Sequence, residues 1–130
     1  MNEHVMNKEQ LQHFDWQEFL RRMDGDEDDA RFILEHTKDT IESIISDFRS
    51  AISSGDMELV RAAAHKIKGT SRSLTFDLLA EQALRLENLA KARKQAISQN
   101  EDQEKKSQLR DIQELADEIV EEFQYVKTLI

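Results

Sequence analysis

The last part of the chain, residues 109–130, reads LRDIQELADEIVEEFQYVKTLI, and this stretch decides the fold class. Its apolar residues recur at alternating spacings of three and four, which is the period of one face of an α-helix. They are Leu109, Ile112, Ala116, Ile119, Phe123, Val126 and Ile130, with Leu115 beside them. The stretch therefore predicts a long amphipathic helix, which packs either into a helical core or into a coiled-coil dimer.

The same helical period runs through most of the preceding chain, from Ala30 to Ile52 and from Leu79 to Ile97. There is no Pro and there are only three Gly, whereas β-rich folds need such residues at their many turns. Gly25 and Gly55 each precede an Asp, a pattern typical of a helix end followed by the N-cap of the next helix. We therefore expect short helices at about 8–13 and 15–23, and long helices near 26–52, 56–74, 76–98 and 102–129.

Four long amphipathic helices with short connections predict an all-α, antiparallel up-down four-helix bundle, because short loops keep neighbouring helices antiparallel. The short leading helices, which carry Trp16 and Phe19, would cap one end of the bundle. Packing into the bundle core is then a simpler explanation for the apolar face of residues 109–130 than a coiled-coil dimer. A chain of 130 residues suits one domain. We expect a single monomeric domain over residues 1–130, with residues 1–7 frayed.

Composition excludes several classes of function. The chain has 27 acidic side chains against 18 Lys and Arg, giving a formal charge of −9, whereas nucleic-acid-binding proteins normally present a basic face. Because Cys is absent, disulfides, thiol nucleophiles and Cys-ligated metals are excluded. No apolar run is long enough to span a bilayer, and the first residues do not resemble a secretory signal. We expect a cytoplasmic protein whose partners include neither nucleic acid nor membrane.

The usual signatures of metal and nucleotide sites are missing from the sequence. Ferritin-like bundles bind metals through Glu-x-x-His pairs, but no carboxylate stands three positions before any of the four histidines. Phosphate-binding loops and paired-glycine dinucleotide motifs are absent as well. The sequence therefore predicts no cofactor or metal of its own and no ATP site. His36 is expected to be structural or solvated, and His4 and His13 to be incidental near the chain start.

One of the predicted long helices carries an unusual histidine. On a helical wheel His65 lies opposite the apolar residues of this helix and therefore points away from the core. The helix has a local charge of +2, whereas the remainder of the chain carries −11. Gly69 costs a helix about 1 kcal/mol relative to Ala, and its bare backbone would let another molecule approach closely. The surface neighbours of the histidine are three cations and this glycine: Arg61, Lys68, Arg72 and Gly69.

Two interpretations of this stripe remain open, an idle solvated face and a site where the imidazole is phosphorylated. Neutral His is a nucleophile near pH 7, and nearby cations help to keep the ring neutral because they disfavour another positive charge. A phosphoryl group carries about two negative charges, which Lys68 and Arg61 could pair with. Since the chain has no ATP site, the phosphoryl donor must be another protein.

The run AHKIKGTS at residues 64–71 resembles the histidine-containing phosphotransfer (HPt) signature H-x-x-K-G-[ST] of multistep two-component phosphorelays. The resemblance covers about residues 10–100. Upstream it includes the run FRSA at residues 48–51 and Gly55-Asp56. Downstream it includes Leu74, Leu78 or Leu79, Ala83 and Leu86-Glu87. The implied fold is the helical bundle already expected.

The resemblance implies a role for each matching residue. His65 would accept and donate the phosphoryl group through Nε2, Lys68 would neutralise it, and Gly69 would leave room for the partner. Glu87 either hydrogen-bonds the imidazole Nδ1 and fixes the tautomer, or is an ordinary solvated glutamate. The implied auxiliary contacts to phosphate or partner are Arg61, Lys66 and Arg72.

One stretch departs from the family pattern. Relatives commonly have small residues and then a Gly near the end of this helix, whereas this chain has RSLT at residues 72–75. Thr75 is a candidate to cap the next helix instead. The aromatic residues Trp16, Phe19 and Phe32 are core candidates, and any of them exposed near His65 would form an apolar docking patch.

The implied function is that of a phosphorelay intermediate, a carrier protein without kinase activity. It would pass a phosphoryl group between the receiver domains of response regulators and hybrid sensor kinases, with Mg²⁺ expected in the partner receiver. The alternative is a non-catalytic helical adapter or dimerisation module that binds a kinase or receiver without phosphotransfer. A degenerate HPt fold without phosphorylation is a third possibility, which the retained His65 and Lys68 argue against.

Overall fold

The computed structural model describes residues 6–99 and 102–130, with side chains described for residues 6–96 and 107–130. These residues form helices and no strand, which confirms the predicted all-α class. Every predicted helix is present, with ends within two residues of the prediction. The helices are α1 (Lys8–Leu11), α2 (Trp16–Arg22), α3 (Glu27–Ser54), α4 (Met57–Ser73), α5 (Asp77–Gln99) and α6 (Asp102–Leu129).

The turn between α3 and α4 sets these two helices antiparallel with only two residues. Gly55 has a φ of 77°, in the left-handed region that favours glycine, and ends α3. Asp56 then caps α4, its side chain accepting a hydrogen bond from the backbone N–H of Leu59 at 3.1 Å. Before α3, Asp24 and Gly25 both have a positive φ after α2 has ended, and Asp26 caps α3, so both predicted glycine–aspartate boundaries are confirmed.

The four long helices enclose one apolar core. Helix α4 packs most closely with α5 and also contacts α3, while α6 packs mainly against α5. Burying each large aliphatic or aromatic side chain stabilises the fold by roughly 1.5–3 kcal/mol. The apolar face of α6 lies in this core rather than facing another coiled-coil strand; its buried members are Ile112, Leu115, Ala116, Ile119, Phe123 and Val126.

The two short helices close one end of the bundle, as predicted. Trp16 and Phe19 are buried, and Phe14 packs edge-on against Phe76 with ring centroids 5.6 Å apart. At the end of the segment for which fraying is predicted, Met6 packs against the core and Asn7 caps α1. Residues 1–5, which include His4, lie outside the described residues.

Phe32 is not a core residue, so that prediction is wrong. It is 73% exposed and stacks on the exposed His36, with ring centroids 6.5 Å apart. Nine residues separate it from the buried Ile41, and nine steps of about 100° place two residues on opposite sides of a helix. The helical wheel therefore separates Phe32 from the apolar face of α3, and the aromatic character of the residue alone does not make it a core residue.

The connection from α4 to α5 corrects the prediction that Thr75 caps the next helix. Thr75 has a φ of 63° and ends α4, while the N–H of Phe76 donates to the Ser71 carbonyl at 2.8 Å. The carbonyl of Phe76 accepts the first helical bond of α5, so Phe76 takes the capping position. The Thr75 hydroxyl instead accepts from the backbone N–H of Asp15 at 3.1 Å and donates to its carbonyl at 2.9 Å.

These contacts predict different effects for two substitutions at position 75. We expect Thr75→Ala to lower the free energy of unfolding by about 1–3 kcal/mol, because two buried backbone hydrogen bonds to Asp15 are lost. Thr75→Gly should cost less, since glycine adopts a positive φ without the strain of a side chain. Urea unfolding monitored by circular dichroism measures both, and a glycine variant less stable than the alanine variant would contradict the prediction.

Candidate functional site

Helix α4 presents His65 to solvent because the apolar residues of this helix face the core on its opposite side. Val60, Ala64 and Ile67 are fully buried against the neighbouring helices. The His65 side chain is 60% exposed, as its wheel position predicts. The outward histidine is therefore held on a helix whose position is fixed by the core.

Glu87 of α5 lies beneath the histidine and is buried, so the alternative of a solvated glutamate is wrong. Its side chain is only 4% exposed. Oε2 lies 2.8 Å from Nδ1 of His65, and Oε1 accepts a hydrogen bond from Nζ of Lys68 at 2.7 Å. One carboxylate thus ties together two residues of α4 that are three positions apart.

The charge of Glu87 determines which nitrogen of His65 carries the hydrogen. Burial raises the pKa of Glu87, but hydrogen bonds and charge from Lys68 and His65 together outweigh burial and leave the pKa below its usual value. The carboxylate is therefore ionised at neutral pH and can only accept hydrogen bonds. The 2.8 Å contact then requires the hydrogen on Nδ1, so in the neutral form of the ring the lone pair is on Nε2.

Arg61, one turn before His65, is held in an ion-pair network. Its guanidinium donates to Glu58 at 2.6 and 3.0 Å, and Lys94 of α5 donates to the same carboxylate at 3.0 Å. The hydrogen bond from Arg61, followed by that from Lys94, lowers the pKa of Glu58 to about 2. Arg61 is thus positioned near the histidine, with part of its charge already matched.

The remaining predicted site residues lie around His65 and Glu87 and contact neither side chain. Lys66 is exposed and lies at the groove between α3 and α4, on the side away from Glu87. Arg72 is exposed near the end of α4, where its carbonyl accepts a hydrogen bond from Arg22 at 2.8 Å. At Gly69 a Cβ atom would meet nothing within 4 Å, so no packing inside this chain requires a glycine there.

A second histidine–carboxylate contact was missed by the sequence analysis, which treated His13 as incidental. Nδ1 of His13 lies 2.6 Å from Oε2 of Glu122, and the imidazole meets Tyr125 edge-on at 4.6 Å. The two partners are 109 positions apart, so no local spacing reveals them. The His13 side chain is only 15% exposed, and the contact joins the N-terminal segment to α6.

The described residues contain neither a metal-binding cluster nor a membrane-spanning helix. No group of three or more His, Cys, Asp or Glu side chains there could hold a metal ion. None of the helices there combines the length and apolar character that crossing a bilayer requires.

Comparison with known families gives the site its context. The family model described as Hpt domain matches residues 33–123, which include His65, Lys68 and Glu87. The chain belongs to the Hpt domain family. Comparisons with curated proteins and with solved structures gave no match. Hpt domains serve histidine phosphotransfer in two-component signalling, as carriers and not as kinases, and they interact with receiver domains.

The match begins within α3, so α1 and α2 of this Hpt domain precede the matched region. Residues of this segment nevertheless belong to the core, since Phe14, in the link between the two helices, and Trp16 of α2 are fully buried. Arg22 of α2 also donates to carbonyls at the end of α4, the helix that carries the histidine. The N-terminal segment therefore supports the helix on which the site lies.

The lowered pKa of Glu87 predicts a pH-dependent loss of stability in Glu87→Gln. Lowering the pKa means that folding favours the ionised form, so its contribution is present above the usual value of 4.5 and is lost as the pH falls through the folded-state pKa. We expect the variant to be less stable at pH 7 by about 1–3 kcal/mol, with a difference that shrinks in acid.

Urea unfolding of both proteins over a series of pH values measures this difference. Glu81→Gln is the matched control, because Glu81 is exposed on the same helix. If the difference in unfolding free energy between wild type and Glu87→Gln stayed constant from neutral to acid pH, the carboxylate charge would not be the cause of that difference.

Proposed function

We propose that this Hpt domain is a phosphorelay intermediate in which His65 carries a phosphoryl group between receiver-domain aspartates. The observation that carries the proposal is the 2.8 Å contact between Nδ1 of His65 and the buried carboxylate of Glu87. It orients an exposed imidazole with its nucleophilic lone pair on Nε2. Lys68 supplies a cation from the adjacent turn.

The first step transfers the phosphoryl group from a receiver to this chain. Nε2 of His65 attacks the phosphorus of the aspartyl phosphate, a P–N bond forms, and the P–O bond to the aspartyl carboxyl group breaks. The receiver's aspartate leaves as a carboxylate. The ring becomes positively charged while Nδ1 keeps its hydrogen, and the ionised Glu87 stabilises that charge.

The second step reverses these bond changes with another receiver. A carboxylate oxygen of its aspartate attacks phosphorus, the P–N bond breaks, and the electron pair returns to Nε2. Because Nδ1 still carries its hydrogen, the leaving group is neutral imidazole and no proton has to move. Glu87 therefore acts through His65 as a positioning residue in both directions.

Lys68 is placed to neutralise the transferred group. Its ammonium has three hydrogens, so it can keep the 2.7 Å bond to Oε1 of Glu87 and still donate to a phosphoryl oxygen. Only 15% of its side chain is exposed, which limits the positions that it samples. Arg61 and Arg72 add positive charge along the same stripe, and we assign them an auxiliary role.

The proposed partners are receiver domains of response regulators and hybrid sensor kinases. A receiver presents its aspartate among acidic ligands of Mg²⁺, and the cationic stripe on α4 complements that charge. We assign the magnesium ion to the receiver and propose that this chain needs no cofactor, works as a monomer in the cytoplasm, and binds neither nucleic acid nor membrane.

Labelled phospho-receiver with Mg²⁺ tests the proposal directly. We expect wild type to acquire an acid-labile, base-stable label and His65→Gln to acquire none. Lys68→Ala should be labelled at least tenfold more slowly, since a hydrogen bond to a charged group contributes about 1.5–3 kcal/mol. Its helical circular dichroism should match wild type.

His36→Gln is the matched control, because His36 is also an exposed histidine on a long helix. It should be labelled as wild type is. Absence of label on wild type with several receivers would favour the alternative, a helical adapter or dimerisation module without phosphotransfer. Label retained by His65→Gln would place the phosphoryl group elsewhere.

Gly69→Ala should raise the stability of the fold and at the same time slow phosphoryl transfer. The added methyl group has open space, so we expect the helix to gain about 0.5–1 kcal/mol in unfolding free energy. The same methyl group lies one turn from His65 and should slow transfer, because it projects where the receiver approaches. Thermal unfolding and labelling rate measure the two effects.

Asp117→Ala on the exposed side of α6 is the control, since it also raises helix propensity. Its labelling rate should equal that of wild type. A Gly69→Ala variant that is both more stable and equally fast would remove the assigned role of Gly69.

A further inference from the structure

An exposed carboxylate on α4, that of Glu58, binds two cations from different helices. Arg61 of α4 donates to it through Nε and a terminal nitrogen at 3.0 and 2.6 Å, and Nζ of Lys94 on α5 donates at 3.0 Å. The Lys94 contact joins positions 36 residues apart, so it crosses from one helix to the other. Glu58 therefore has one more cationic partner than its single negative charge needs.

Arg61 lies on the helical turn next to His65. The two residues are four positions apart, a spacing at which side chains on a helix are neighbours. Helical side chains lean toward the N-terminus of their helix, so the imidazole of His65 leans over the turn that carries Arg61. The pKa of Arg61 is raised mainly by the hydrogen bond to Glu58, and also by the charge of Glu58 and that of Glu87. The guanidinium is thus bound to Glu58 and within electrostatic reach of the site.

Phosphorylation of His65 would change the balance of charge on this face of α4. A phosphoryl group brings up to two negative charges at neutral pH. Lys68 offers one positive charge, but its ammonium also pairs with Glu87 at 2.7 Å. Arg61 is the next closest cation of the stripe along the helix. Because Coulomb energy is proportional to the product of the charges, two negative charges attract the guanidinium more strongly than one carboxylate does at the same distance.

We propose that phosphorylation of His65 moves Arg61 from Glu58 to the phosphoryl group, while Lys94 stays on Glu58 and keeps that carboxylate paired. The inference rests on the proposed function and adds a control on the stability of the phosphorylated form. The exchange needs only rotation of the Arg61 side chain, which is 30% exposed and lies outside the core. Glu58 acts through Arg61 and is therefore a positioning residue.

The exchange gives Glu58 and Lys94 opposite effects on the phosphorylated form. Glu58 competes with the phosphoryl group for Arg61, so removing the charge of Glu58 should favour phosphorylated His65. Lys94 keeps Glu58 paired after Arg61 has moved, so removing the charge of Lys94 should strengthen the hold of Glu58 on Arg61. Exposed ion pairs contribute modestly, and the expected changes in equilibrium are about two- to fivefold.

The equilibrium distribution of labelled phosphoryl groups between a receiver and this chain tests the exchange. Glu58→Gln should raise the ratio of phosphorylated His65 to phosphorylated receiver about two- to fivefold, and Lys94→Gln should lower it. In an Arg61→Gln background, Glu58→Gln should lose most of its effect. Equal effects of Glu58→Gln with and without Arg61 would show that Glu58 acts by its own charge, which overturns the exchange.

Chemical phosphorylation with phosphoramidate allows the exchange to be observed without a receiver. Nε2 of His65 attacks phosphorus, the P–N bond of the reagent breaks, and ammonia leaves. The NMR signal of the Arg61 Nε–H group, assigned by its absence in Arg61→Lys, should shift when wild type is phosphorylated. It should stay in place in His65→Gln treated in the same way. An Arg61 signal that does not move in wild type, or that moves equally in His65→Gln, would overturn the exchange.

Glu35→Gln is the matched control, because Glu35 is also an exposed carboxylate that pairs with a cation three positions later, Lys38 of α3 at 3.1 Å. It should leave the phosphoryl ratio and the Arg61 signal as in wild type, and an effect equal to that of Glu58→Gln would contradict the exchange. If His65 is labelled by a receiver but Glu58→Gln leaves the ratio unchanged, the exchange is wrong and the phosphotransfer function stands. If no receiver labels wild type, the proposed function falls, and the Arg61 signal after chemical phosphorylation still decides the exchange.

Discussion

The buried carboxylate of Glu87 is the constraint on which the rest of the site depends. Removing an ionised group from water costs several kcal/mol unless it is paired, and α4 supplies both partners from adjacent turns. Only one register of α4 against α5 brings His65 and Lys68 to the two oxygens of Glu87. The closest helix pair in the bundle is thus also the pair whose alignment determines the chemistry.

That alignment is secured at both ends of α4 by polar contacts outside the site. Asp56 caps the first turn, and Arg22 donates to the Arg72 and Ser73 carbonyls in the last. The Thr75 hydroxyl then fixes the following turn to the N-terminal segment. A site held in place by its supporting structure loses little energy to reorganisation when a partner arrives, which suits the proposed transfer in both directions.

The helices and the outward histidine could be predicted from sequence because both follow from local spacing. The apolar period predicts the helices, and the positions of Lys68 and Gly69 relative to His65 predict the stripe of surface residues beside the histidine. The Glu87 contact joins two helices and was suggested only by resemblance, while the His13–Glu122 contact spans 109 positions and left no local signal. Phe32 lies outside the apolar series of α3, so its exposure follows from spacing rather than from residue type, whereas no local spacing shows that Thr75 adopts a positive φ.

The distribution of charge over the chain also affects how a partner is oriented at the site. The stripe's cations stand on a chain whose remainder carries −11, so an acidic partner meets attraction at α4 and repulsion over much of the rest. Such complementarity contributes more to orientation and association rate than to affinity. The acidity of the remainder and the cations of α4 therefore act together, because one repels and the other attracts the same kind of partner.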